Sequence, residues 1–189
     1  MTTELTIGAI NPGYGGLPIG VAAALGGASL AWHAHPGQAP GCPGHPIMQY
    51  HHPRADVCHL DGNMPPMVDV LTLSGVVKWC YSGRPLFWNG YKPPLVIVEV
   101  KHARDEARPI CEFLNAHGYR AVWGLVRAGD VGAPHVRHRV YVTAVRKDCD
   151  IPAVNDAYLD EDRCTGTLWP TPDMDCTLLV ATAYQWALD

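Results

Sequence analysis

Short apolar runs, broken by glycine and proline, set the rhythm of this chain. "ELTIGAI" (4–10) is rich in β-branched residues and ends at a glycine-dense turn, "NPGYGG". "LPIGVAAALGG" then reads as a short helix closed by Gly26 and Gly27. "SLAWHA" (29–34) predicts a second strand, "ADVCHLD" (55–61) a short third, and "MVDVLTLSG" (67–75) a fourth. "PPLVIVEV" (93–100) is a continuous apolar run, the pattern of a strand buried on both faces. "ARDEARPICEFLNAHG" (103–118) is helical in pattern, with Gly118 at its stop and Pro109 placed at the true start, where proline is tolerated. "YRAVWGLVRA" and "HRVYVTAVR" close the series as two strands joined by a short connection, hence an antiparallel pair. The Pro/Gly/His-rich stretch 36–54 reads as a surface loop.

Strand, glycine turn, helix and strand in alternation predict an α/β domain with a mostly parallel sheet and a final antiparallel pair. Ligands of such sheets sit at the carboxyl ends of the strands. The pattern dissolves after residue 146. Residues 1–146 therefore form the expected α/β domain. Residues 147–189 form an acidic, turn-rich tail ending in a helix, "CTLLVATAYQWALD", packed on the same domain.

Composition changes this picture little. The chain has 189 residues, 48% of them hydrophobic and 17% charged, which suits one domain with a real core. A formal net charge of −4 means that any nucleic-acid contact must come from a local basic patch. No apolar run reaches the roughly 18 residues a membrane span needs. "MTTELTIGAI" has no basic region ahead of its apolar part, so no signal peptide is expected and a cytoplasmic location is. The seven cysteines are scattered, without a CxxC, and read as reduced thiols. Cys42 and His45 have metal-ligand spacing, and His51, His52, Cys58 and His59 follow. A zinc site could be assembled from these, but their order matches no standard finger and the stretch is dense in Pro and Gly, so reduced thiols without metal are the first expectation.

The chemistry concentrates in two places. "NPGYGG" lets backbone approach a ligand at a helix N-terminus. "RAGDVGAPHVRHRVYVTA" (127–144) sets Arg137 and Arg139 just ahead of a strand, a fork of guanidinium donors suited to phosphate or a pyrimidine carbonyl.

In their order, these motifs resemble those of the DNA (cytosine-5) methyltransferases, particularly the phage and actinobacterial type, over roughly residues 4–146. The resemblance implies a Rossmann-like, S-adenosylmethionine-dependent methyltransferase fold. Gly13, Gly15 and Gly16 fall on the family's FxGxGG cofactor loop, and Asp61 of "CHLDG" on the Asp that binds the adenine. His35 stands where the family has the acid that clasps the ribose. Glu99 falls on the Glu of Glu-Asn-Val, which protonates or hydrogen-bonds the ring. His135, Arg137 and Arg139 fall on the Gln-x-Arg-x-Arg turn that holds the flipped nucleotide and its phosphate.

The departures are concerted. The family's nucleophile comes from Pro-Cys-Gln directly after the fourth strand; here "SGVVKWCYSG" offers only a displaced Cys80. Val100 replaces the Asn that follows the Glu, Asn11 replaces the cofactor-packing Phe, and His35 replaces the ribose acid. The family's large target-recognition domain follows the arginine turn, where only about 45 residues remain here.

Three readings stay open. The first is a degenerate methyltransferase-like protein, a pseudoenzyme with a weakened S-adenosylmethionine pocket that still binds DNA, a nucleotide or a partner. The second is a minimal active cytosine-5 methyltransferase with Cys80 as nucleophile and Glu99 as acid. The third is a small interaction or assembly protein on a borrowed fold, with the His/Cys-rich loop as a zinc or contact site and a protein partner or a homo-oligomer. A phage-encoded protein would act in the cytoplasm of a bacterial host.

Overall fold

The computed structural model describes residues 4–35, 44–58, 65–75, 90–100, 104–127 and 138–149. Strands β1 (Thr6–Ile10), β2 (Ser29–Ala34), β3 (Asp56–Val57), β4 (Val70–Ser74), β5 (Leu95–Val100), β6 (Tyr119–Arg127) and β7 (His138–Arg146) form one sheet in the order β3-β2-β1-β4-β5-β7-β6. All pairings from β3 across to β5 are parallel, and β7 pairs antiparallel with both β5 and β6. The direction in which the chain lays down strands reverses between β1 and β4, which opens a crevice at their carboxyl ends.

"LVIVEV" is central, as its uninterrupted apolar pattern predicts. Its side chains alternate between two cores. Val96, Val98 and Val100 join Val140, Val142 and Ala144 on one face, closed by Ala107, Ile110, Cys111 and Leu114 of helix α3 (Arg104–Ala116). Leu95 and Ile97 join Ile7, Val70 and Val145 on the other, beneath Leu17 and Val21 of helix α1 (Gly16–Ala24).

Two expectations need correction. Pro109 is not the start of α3 but lies inside it. The helix begins earlier because Ala107, Ile110, Cys111 and Leu114 already make a buried stripe, and one missing amide near the N-terminus does not outweigh its burial. The stretch 36–54 is not all loop: Gly44–His51 form helix α2. Pro46 sits within its first turn, where its missing N–H costs nothing, and Met48 is fully buried. The third strand is short, as its sequence suggests, pairing only Asp56 and Val57 with Trp32 and His33.

A bulge tunes the β1–β2 pairing. Ile7 is paired with Leu30 but Gly8 with Trp32, so Ala31 is the extra residue. The shift turns Trp32 onto the α3 face, fully buried, with its indole lying across Gly8. Trp32 Nε1 donates to the Pro66 carbonyl at 2.9 Å, and the Tyr91 hydroxyl donates to the same oxygen at 2.8 Å. Burial pushes the Tyr91 phenol well above its ordinary range, so it remains a neutral donor. Among the described residues, no helix is long and apolar enough to cross a membrane.

Two glycines are expected to respond oppositely to an added methyl. A Cβ at Gly8 would overlap the Trp32 ring, whereas one at Gly16 meets nothing within 4 Å. Gly8→Ala is expected to cost about 1–3 kcal/mol through overpacking. Gly16→Ala is expected to leave stability unchanged or raise it by up to about 1 kcal/mol. Thermal denaturation of the two variants beside the wild type checks both signs.

Candidate functional site

The loop after β1 is built from left-handed residues. Asn11, Gly13 and Gly15 have φ of 52°, 58° and 88°. Asparagine is one of the few side chains that tolerate this region, and glycine does so without penalty. Gly16 is different: it is the first helical residue of α1 and needs no such freedom. Gly15 caps α1 with no side-chain bond, and the first turn of the helix carries no acid. The loop is also held from outside. A Cβ at Gly44, at the start of α2, would overlap the Gly13 carbonyl, and one at Gly15 would press on the buried Met48 sulfur.

Asn11 bridges the crevice. Its backbone N–H donates to the Ala34 carbonyl at the end of β2 (2.7 Å), and its side-chain Nδ2 donates to the Ser74 carbonyl at the end of β4 (2.7 Å). By resemblance alone, Asn11 is only the residue that replaces an aromatic. Its bridging role was signalled by the residue type, an amide where a chain must turn left-handed after a strand.

The carboxyl end of β2 carries two imidazoles. His33 is fully buried, His35 half-buried, and their rings meet edge to face with centroids 5.6 Å apart. The Cys58 N–H donates to the His33 carbonyl at 2.9 Å, so β3 closes on this end. Burial, then nearby Asp56, raises the Cys58 thiol, which disfavours the thiolate a metal would need. Burial, then nearby His51, lowers His52 below its ordinary range. Among the described residues, no three His, Cys, Asp or Glu side chains cluster as a metal site. Cys42 and His59 lie outside the described residues, as does the side chain of His45.

The second half of the site stands at the ends of β4, β5 and β7. Ser74 is in register with Glu99, and the Gly75 N–H donates to the Glu99 carbonyl at 2.9 Å. Alternation turns the Glu99 side chain to the α1 face. Arg139, two positions before Tyr141, shares that face. Arg139 Nε donates to Glu99 Oε1 at 2.8 Å, with the two side chains only 18% and 21% exposed, and its Nη1 donates to the His138 carbonyl. The fold therefore brings together Glu99 and Arg139, which lie 40 residues apart in sequence. Of the other expected site residues, Cys80, Arg137 and Asp61 lie outside the described residues, as does His135.

This strand order, with a glycine loop at the β1–β4 crevice and an antiparallel terminal pair, is a methyltransferase fold. The sequence model of the C-5 cytosine-specific DNA methylase family matches residues 92–175, which include Glu99, Arg137 and Arg139. The chain resembles that family, as its motifs indicate. Among solved structures it is similar to a triple mutant of Spodoptera frugiperda DNMT2, at 13% identity and a TM-score of 0.60, over 77% of this chain and 51% of that one. It is similar also to the S. pombe Dnmt2 methyltransferase, at 17% identity and a TM-score of 0.56, over 78% and 50%. A third is M. capricolum TrmK in complex with S-adenosyl-homocysteine, at 10% identity and a TM-score of 0.51, over 77% and 64%. The chain thus spans about half the length of the two Dnmt2 structures. These identities establish the fold. Comparison with curated proteins finds no match.

The Glu99–Arg139 pair is shielded enough to matter energetically. A charge-assisted hydrogen bond in such a setting is worth about 1.5–3 kcal/mol, against about 0–1 kcal/mol for an exposed pair. A double-mutant cycle with Glu99→Gln and Arg139→Ala is expected to return a coupling of about 1–2 kcal/mol by chemical denaturation. The same cycle on Arg146 and Asp148, whose carboxylate side chain is 73% exposed, is expected to return no resolvable coupling, because solvent screens the pair.

Proposed function

We propose that this chain is a methyltransferase-like protein that has lost cytosine methylation and keeps a nucleotide- and nucleic-acid-binding role at the carboxyl ends of its strands. The observation that carries this reading is the Glu99–Arg139 pair. By resemblance, Glu99 falls on the family's ring-contacting Glu and Arg139 on an Arg that holds the flipped nucleotide and its phosphate, and the two meet beside the end of β4. A guanidinium has five donors, and Arg139 engages two of them with Glu99 and His138. The others suit a phosphate oxygen or a pyrimidine carbonyl. Arg139 in turn orients the Glu99 carboxylate, so the grip on a base or phosphate outlives the loss of any one reacting group.

The chemistry itself lacks parts. Attack on carbon 6 of cytosine needs a thiolate delivered by the segment after β4, and that segment runs from Ser74 to Cys80 without Pro-Cys. S-adenosylmethionine fits the crevice only in part. The glycine loop suits it, but at the ribose position an imidazole offers at most one acceptor nitrogen, where a carboxylate offers two oxygens. That difference is worth on the order of 1.5–3 kcal/mol, or about tenfold to a hundredfold in affinity. Asn11, committed to Ser74, supplies no aromatic face.

Two measurements test this reading. In fluorescence anisotropy with a short oligonucleotide at low and moderate salt, the wild type is expected to bind weakly, with strong salt dependence and little base preference. Arg137→Ala/Arg139→Ala is expected to lose that binding; equal binding by both proteins removes the nucleic-acid role. With labelled S-adenosylmethionine and cytosine-rich DNA, no methyl transfer is expected. Transfer that disappears in Cys80→Ser would instead establish the minimal active enzyme.

A further inference from the structure

The two edges of the sheet are unlike. β3 offers an edge of two residues, whereas β6 runs for nine and has β7 as its one neighbour among the described residues. Register settles which of its backbone groups face outward. The Lys147 N–H donates to the Gly118 carbonyl, and Arg120 is in register with Val145. By alternation, even-numbered residues of β6 bond to β7, and odd-numbered ones turn their N–H and C=O to the open edge. The first half of that edge is closed: the Ala121 N–H donates to Asn115 Oδ1 of α3 at 3.0 Å. Beyond it, among the described residues, no backbone bond reaches the outward groups of Trp123 or Leu125. Exposed edges ordinarily carry a charge or a proline that discourages further pairing. "WGLV" (123–126) has neither.

The open half is complementary to itself. Trp123 and Leu125 pack, partly buried, against the α3 core, and Gly124 and Val126 belong to the other face. A Cβ at Gly124 would meet nothing within 4 Å, so there is free space beside it. We propose that Trp123–Arg127 pairs antiparallel with the same segment of a second copy of this chain, on a two-fold axis at Leu125. In that register Leu125 faces Leu125, Trp123 faces Arg127, and Gly124 faces Val126 of the second copy, which fills the space beside the glycine. The outward residues then form hydrogen-bonded pairs, and the Asn115 cap on Ala121 marks where the pairing stops. The contact is isologous, so it closes at two copies instead of propagating into a fibre. So short a strand pair buries less than a standard interface, and the dimer forms only as protein concentration rises.

Sedimentation and amide exchange by NMR test this on the full chain. The wild type is expected to shift from monomer toward dimer as its concentration rises to about 1 mM. The Trp123 and Leu125 amides are expected to become protected in step, while those of Gly124 and Val126, already bonded to β7, change little. Leu125→Pro deletes an outward N–H and spares the β7 ladder, so it is expected to abolish association. Leu125→Lys and Leu125→Glu are each expected to stay monomeric, because like charges meet on the axis, and their equimolar mixture to associate again. A wild type that remains monomeric throughout overturns the proposal. A dimer that forms without protection of Trp123 and Leu125, or that survives Leu125→Pro and both charged variants, overturns it too. Protection of the two amides at every concentration also overturns it, since another stretch of this chain then covers the edge. Should the variants fail to melt as the wild type does, the wild-type exchange data alone decide.

Discussion

Strand β5 pairs in parallel with β4 from Val70↔Leu95 to Ser74↔Glu99, and antiparallel with β7 from Leu95↔Val145 to Val100↔Val140. The rest of the site depends on this double pairing. Because β5 runs with β4, Ser74 and Glu99 finish side by side at one edge. Because β7 runs against β5, its first residues arrive at that same edge, and Arg139 reaches Glu99. Five of its six residues are buried apolar side chains shared between two cores. Slipping the register by one would bury Glu99 and expose a valine, so the hydrophobic effect holds the ion pair in place.

The opposite end of the crevice depends on a different kind of restraint. Asn11 fastens the end of β1 to β2 through its backbone and to β4 through its side chain. It spans the point where strand order reverses. One amide thereby joins the glycine loop to Ser74, and Ser74 is the register partner of Glu99. The two halves of the site share a continuous frame of strand ends, with the left-handed loop at one side and the guanidinium at the other.

Where the chain departs from the cytosine-5 methyltransferase pattern, the departures follow a consistent direction. The resemblance sets an imidazole where that family has a carboxylate at the end of β2, and a committed amide where it has an aromatic face after β1. Glu99 and Arg139, to which the proposed function assigns the holding of a base, are in contact. On the proposed function, this arrangement holds a nucleotide ligand rather than delivering a methyl group to it.

Much of the fold was legible in the sequence because it rests on local periodicity. Apolar runs between glycines and prolines identified the strands, and "LVIVEV" declared its central place by having no polar face. The antiparallel pair followed from a short connection between two strands. The glycine loop was legible too, since left-handed turns restrict residue type. The tertiary structure decided what periodicity cannot carry. Helix α2 formed within a Pro/Gly/His-rich stretch because Met48 found a buried seat against Gly15. Pro109 was absorbed into α3 because burial of one helix face outweighs a single missing hydrogen bond. Gly8 proved indispensable only once a bulge laid Trp32 across it. The contact between Glu99 and Arg139 joins residues far apart in sequence, and no local pattern encodes it. It exists because sheet order and strand direction, which are properties of the whole core, bring both side chains to one edge.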